Sequence, residues 1–244
     1  MRKIRGAYFF IVFLVIVFSC AKKPELKLSA DSEFEDSFEK ANKYIEEKQY
    51  EDARDLLNKI KTYDTTDKYA PLAQLRLADS YLKEEEPEIA MEEYSRFLDM
   101  YSRHIYAAYA QYQIAMIYFK EMTDAERGYE SAKKALEELE TLNSLYPRNP
   151  YKEEVASMIE KSKETIADHE FLVGKFYFKK KAYKGALARL VGVLEMFPDY
   201  KNEEEVLFLI HTSYKALGDN DKAGQYLDLL MTKYPESKLG AINQ

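Results

Sequence analysis

Tyr177 is followed nine residues later by Ala186 and twelve further on by Pro198; the same three types return 37 positions downstream as Tyr214, Ala223 and Pro235. Tyr44 and Ala53, then Tyr81 and Ala90, repeat the first spacing and are again 37 apart. A fixed period in this range is what stacked helix pairs produce, because each pair buries its apolar face only against its neighbours. Three positions before each tyrosine stands a small residue (Ala41, Ala78, Ala115 before Tyr118, Gly174), which lets a partner helix approach; His211 breaks the rule in the fifth repeat. After each alanine, large apolar residues follow at four and seven: Ala53-Leu57-Ile60, Ala90-Tyr94-Phe97, Ala132-Leu136-Leu139, Ala186-Leu190-Val193 and Ala223-Leu227-Leu230. That spacing draws one apolar stripe along a helix. Only 8 Gly and 7 Pro interrupt 244 residues, and 32% are charged, as expected of helices with solvated outer faces. The pattern predicts an all-α solenoid of about five pairs, at 31–47/50–62, 67–83/87–101, 104–121/128–146, 151–180/183–197 and 202–217/219–234.

Ahead of the repeats, MRKIR forms a basic stretch and residues 7–18 an apolar run that is short for a bilayer span. The run ends in Val17-Phe18-Ser19-Cys20, which resembles a bacterial lipobox. The expected organisation is a cleaved lipoprotein signal peptide at 1–19, a lipid-anchored tether at 20–30 with Cys20 as the lipidated residue, and a repeat domain at 31–240. Several acyl chains on one residue would anchor the chain stably. Ala21 is not the aspartate associated with inner-membrane retention, which favours the outer membrane and a periplasmic face. Cys20 is the sole cysteine, so no internal disulfide can form.

The small–Tyr–Ala–apolar–Pro pattern resembles tetratricopeptide repeats. Its third interval departs from the period: Tyr118 and Tyr177 are 59 apart, an excess of 22. Five of those residues fall in the turn at 120–128, since Tyr118 precedes Ala132 by fourteen. The other seventeen extend the helices around Pro147 and Pro150, so the helix from Tyr151 to Lys180 should run roughly 45 Å. A lipobox, five repeats, a lengthened third turn and a long helix leading into ADHEFLVGKFYFKKKAY together resemble the outer-membrane assembly lipoprotein family BamD, also called YfiO or ComL. The match is densest at Ala167–Tyr183, around Ala188-Arg189-Leu190, at Phe197-Pro198-Asp199 and at Tyr214–Gly218. It is weaker early on, where Thr62-Tyr63-Asp64 replaces an aromatic–Pro ending. The resemblance implies a scaffold of the β-barrel assembly (BAM) complex. Its C-terminal repeats would dock on the POTRA domains of the barrel protein BamA, and its N-terminal repeats would meet unfolded barrel precursors.

Candidate contact residues concentrate in the fourth repeat. The chain is acidic, at −7, yet six basic residues and no acidic one lie between Phe171 and Leu194. Arg189 shares a helix side with Gly185, Gly192 and Met196. Helical glycines are costly and often admit another backbone, and an arginine between them suits a bidentate contact with a partner carboxylate. Internal pairing of Arg189, with the glycines admitting only the neighbouring helix, is the other reading. The resemblance implies the first, since a matching family arginine is implicated in the BamA contact. On the contact reading, Arg189→Glu is expected to leave the melting temperature nearly unchanged. Lys181 and Lys184 extend the same surface, although Lys179 to Lys181 also suit a helix C-terminus. Tyr106, Tyr109 and Tyr112 are either a core stripe or the lining of a groove for an extended, aromatic-ended peptide. Tyr63 matches, after a one-residue shift, a family tyrosine implicated in substrate-signal contact.

His104, His169 and His211 are isolated, and there is no glycine-rich phosphate loop and no nucleophile elbow. No catalytic residue, metal site or cofactor is expected, and the acidic balance argues against nucleic acid. Repeats of this kind also build other lipid-anchored scaffolds, such as a pilotin for secretin or type IV pilus assembly; the lengthened third turn favours barrel assembly. The same resemblance implies other BAM lipoproteins as further neighbours.

Overall fold

The computed structural model describes residues 30–122, 128–198 and 200–241, and no strand occurs among them. Five antiparallel pairs follow one another: α1 (Ala30–Glu46) with α2 (Tyr50–Tyr63), α3 (Ala70–Lys83) with α4 (Pro87–Tyr101), α5 (Ala107–Glu121) with α6 (Tyr129–Leu145), α7 (Lys152–Lys179) with α8 (Tyr183–Met196), and α9 (Glu203–Ala216) with α10 (Asn220–Lys233). A single turn, α11 (Lys238–Ala241), which the sequence pattern does not predict, packs on α9 and α10. The leader, Cys20 and nearly all of the tether lie outside the described residues. Among the described residues, no helix is long and apolar enough to cross a membrane.

The repeat is visible in the backbone of the turns. Four residues after its tyrosine, each regular turn places one residue at positive φ: Lys48 (61°), Glu85 (67°), Lys181 (58°) and Gly218 (80°). The next N–H then returns to the tyrosine's carbonyl: Gln49 to Tyr44 at 2.8 Å, Glu86 to Tyr81 at 3.0 Å, Ala182 to Tyr177 at 3.0 Å and Asp219 to Tyr214 at 3.1 Å. This left-handed closure satisfies carbonyls that a helix end leaves without partners. The periodic alanine then opens the second helix, its N–H reaching the residue four back, as Ala186 does to Ala182 at 3.0 Å.

Ala41, Ala78 and Ala115 are fully buried, as is the stripe in most pairs. Leu136 and Leu227 are only half-buried; in α6 the buried line runs through Ala132, Ala135, Leu139 and Leu142 instead. The apolar core is serial. One cluster joins Ile45, Leu57 and Leu77, the next Tyr94, Phe97 and Ile114, another Leu139, Val155 and Met158, and the last Phe171, Leu190 and Ile210. The extra length of the third interval lies mainly in α7, at 28 residues against 14 for α8, or roughly 42 Å.

α3 begins at Ala70 and not at 67, because Asp64 holds the connection in a turn. Its carboxylate accepts N–H bonds from Thr66 (2.9 Å), Tyr69 (2.6 Å) and Ala70 (2.9 Å), and the Thr66 hydroxyl at 2.6 Å. Burial alone would raise this carboxyl; the hydrogen bonds outweigh it and hold it at about 2, against an ordinary 3.8. A folded value below the unfolded one means the contribution is complete above about pH 4 and fades as pH falls toward about 2. Asp64→Ala should therefore cost about 2 kcal/mol at neutral pH. Urea midpoints for both chains should converge as pH drops to about 2.5, and an unchanged gap there would rule out the ionised carboxylate as the source.

Candidate functional site

The tight turn through Lys180–Ala182 launches α8 beside the end of α7, which brings Arg189 over Glu170. The Nη1 group of Arg189 donates to both carboxylate oxygens of Glu170, at 2.9 and 3.2 Å. Glu170 is only 6% exposed, and its Oε1 also accepts the Tyr129 hydroxyl at 2.7 Å. Burial, then this hydrogen bond, push the Tyr129 phenol up to about 12. The Tyr129 ring lies flat on His169, with centroids 4.0 Å apart. The Arg189 side chain is 47% exposed, so it is both internally paired and open to a partner.

The two flanking glycines have different reasons. A Cβ on Gly185 would lie 3.3 Å from the Tyr177 ring, so this glycine admits a side chain of the same hairpin. A Cβ on Gly192 would meet only Met196 Cε, at 3.6 Å. Met196 itself is exposed. Internal packing thus accounts for Gly185 and leaves Gly192 without such a role. Lys181 and Lys184 are exposed on the same hairpin, with Lys181 occupying the positive-φ turn position. Leu172, Phe176 and Tyr177 are exposed on adjoining α7, Lys180 lies over the Phe176 ring at 5.7 Å, and Lys175 pairs with Glu205 at 2.7 Å.

The tyrosines separate. Tyr106 and Tyr109 line a cleft of about 390 Å³ with Phe38, Leu72, Leu75, Arg76 and Asp79. Asp79 organises its wall: Oδ1 accepts Tyr94 and Tyr109 hydroxyls at 2.6 and 2.8 Å, and Oδ2 accepts Arg76 Nη1 at 3.0 Å. Burial first, then the Asp79 charge, drive both phenols well above their ordinary range. Tyr112 does not share this face. It is 8% exposed and stacks on Tyr151 with centroids 4.1 Å apart, because successive steps of three residues rotate round a helix. Tyr63, 68% exposed at the end of α2, is not part of the cleft.

Sequence reasoning missed Glu170, Tyr129, Arg76 and Asp79. For Glu170 a signal was present: it lies four residues before Gly174, hence on the side of α7 that receives α8. A carboxylate there needs a cation from the facing helix.

A sequence model of the YfiO family, described as outer membrane lipoprotein, matches residues 30–230. The outer membrane protein assembly factor BamD of Rickettsia prowazekii is 26% identical over 194 residues, covering 80% of this chain and 77% of that protein. The BamD of Buchnera aphidicola is 23% identical over 232 residues, covering 90% and 94%. Among solved structures, the TPR2AB-domain:pHSP90-complex of yeast Sti1 overlays with a TM-score of 0.48 at 14% identity, covering 86% of this chain and 81% of that one. The helical array is established here by the chain's own recurring turns.

Proposed function

The chain belongs to the YfiO family of outer membrane lipoproteins, and from that premise we propose that it is a non-catalytic scaffold of outer-membrane barrel assembly. Lipid on Cys20 tethers it to the outer membrane, and the repeat array faces the periplasm. The fourth hairpin docks on POTRA domains of a BamA-type protein through Arg189, Gly192, Lys181 and Lys184, with Gly185 shaping the hairpin beneath them. The cleft bearing Tyr106 and Tyr109 meets an extended segment of an unfolded barrel precursor; Tyr63 offers a second aromatic contact nearer the first pair, and Tyr112 supports the α5–α7 wall. The work is binding and positioning, in which docking biases the barrel protein toward a substrate-accepting state. The observation carrying the proposal is the half-exposed Arg189, seated on a buried carboxylate beside an uncrowded glycine, in the basic stretch of the repeat array of an acidic chain.

The pair with Glu170 changes which substitution tests this. Arg189→Glu would set two carboxylates against each other, one of them buried, so it should lower stability as well as binding. Arg189→Lys keeps a cation beside Glu170 but loses the planar fork. Co-purification of the BamA-type protein from solubilised membranes should fall roughly tenfold with this variant, while the melting temperature stays within about 2 °C. Recovery at the wild-type level would remove Arg189 from the contact.

A further inference from the structure

Arg189 stands half-exposed on Glu170 of one neighbouring helix, and Tyr129 of a third helix holds the same carboxylate. Glu170, on α7, is 6% exposed and takes one terminal nitrogen of the guanidinium. Tyr129, the first residue of α6, fixes the same carboxylate through Oε1. Glu170 is Arg189's hydrogen-bond partner among the described residues, so the remaining N–H donors of a half-exposed side chain stay available. A buried carboxylate left without its cation is strongly unfavourable, which makes the pair persistent.

We infer that Glu170 and Tyr129 are positioning residues for recognition of a partner carboxylate by Arg189. This inference rests on the docking role proposed above. A free arginine loses rotamer freedom when a partner orders it; one already pinned at a single nitrogen loses less and presents a fixed planar edge. Tyr129 adds the second constraint by setting the orientation of the Glu170 carboxylate. It stands directly after the lengthened third turn, so that departure from the 37-residue period connects to the arginine in the next hairpin. The ligand chemistry is an acidic side chain on a folded protein surface, addressed by a preset guanidinium.

The test is a thermodynamic cycle by calorimetric titration of the full mature chain with purified POTRA domains of the same bacterium's BamA-type protein. The chains are wild type, Glu170→Gln, Arg189→Gln and the double variant, with melting curves recorded for each. Glu170→Gln should weaken binding roughly threefold to tenfold when Arg189 is present. In the Arg189→Gln background it should change affinity by less than about twofold. Tyr129→Phe, which leaves the ion pair in place, should weaken binding in the same direction by roughly twofold. In the free chain, the Arg189 Nε–H resonance should be ordered in wild type and mobile in Glu170→Gln. An equal loss in both backgrounds would show a general effect on the fold and overturn the inference. So would full affinity in Glu170→Gln alongside a loss in Arg189→Gln, with the docking role left standing. Wild-type affinity in Arg189→Gln, or no titration by the wild-type chain, would refute the docking role itself and this inference with it.

Discussion

Gly174→Ala should destabilise the chain, against the usual direction of a glycine-to-alanine change inside a helix. Helix propensity alone favours alanine by about 0.5–1 kcal/mol. Here a Cβ would lie 2.7 Å from both Cγ and Cδ2 of Leu190, and 3.5 Å from Arg189 Cβ. Leu190 is fully buried within the cluster of Phe171, Ala186, Val193 and Ile210, so the atoms in the way are not the loose end of a mobile side chain. Overpacking of this kind costs about 1–3 kcal/mol, which outweighs the propensity gain. Gly174→Val, with two further methyls at the same contact, should cost about 3 kcal/mol or more. Because each pair stabilises only its neighbours, that loss should also separate unfolding of the α7–α10 half from the earlier hairpins. Urea denaturation followed by circular dichroism reads both effects, as a lower midpoint for alanine and a broadened or two-step transition for valine. Gly224, on α10, is the control, since a Cβ there meets nothing within 4 Å. Gly224→Ala should raise the midpoint, and a Gly174→Ala chain that behaved the same way would refute the close-approach account.

Gly174 also shows what the sequence made readable. A small residue three before the tyrosine is a local rule, repeated in the first four pairs, and the requirement it reflects recurs at each of their contacts between paired helices. The turns were readable for the same reason: Tyr-to-Ala spacing of nine leaves room for one left-handed residue and one returning N–H. Deviations arose where a single side chain overrode the period. Asp64 diverts the start of α3 by capturing the N–H groups of Tyr69 and Ala70. In the longer α6, Leu136 leaves the buried stripe and lines an open groove with Leu145 and Ile166. His211, in place of the small residue, is buried and bonds through Nδ1 to the Ala223 carbonyl at 2.8 Å, so the fifth pair is joined by a polar link where the others use close approach. The partners of Arg189 were harder to read. Tyr129 meets a residue 41 positions away across an irregular interval, and no period predicts that register. Asp79 is likewise an ordinary acidic residue in sequence until Tyr109, 30 positions away, closes on it.

Gly192→Glu should abolish docking on the BamA-type partner while leaving the chain as stable as before, or slightly more so. The free chain has room for the new side chain, because the one atom near a Cβ at 192 is the terminal methyl of exposed Met196, which can swing aside. Replacing glycine within α8 also recovers about 0.5–1 kcal/mol of helix stability. In a complex the outcome reverses. A partner backbone close to the α8 face would meet a long side chain in its path, and a partner carboxylate seeking Arg189 would meet a like charge one helical turn away. The new glutamate would also compete for the guanidinium as an i,i+3 neighbour. Like charges brought together across an interface cost several kcal/mol, so affinity should fall roughly a hundredfold or more. Gly192→Gln, equal in bulk but neutral, separates the two causes: an intermediate loss assigns part of the effect to shape and the remainder to charge. Gly224→Glu, the same change on α10, should leave binding intact. Calorimetric titration with the POTRA domains, alongside melting curves for each chain, distinguishes these results. Full affinity in Gly192→Glu would mean that no partner covers this face of α8, and the spare glycine would then have no role in docking.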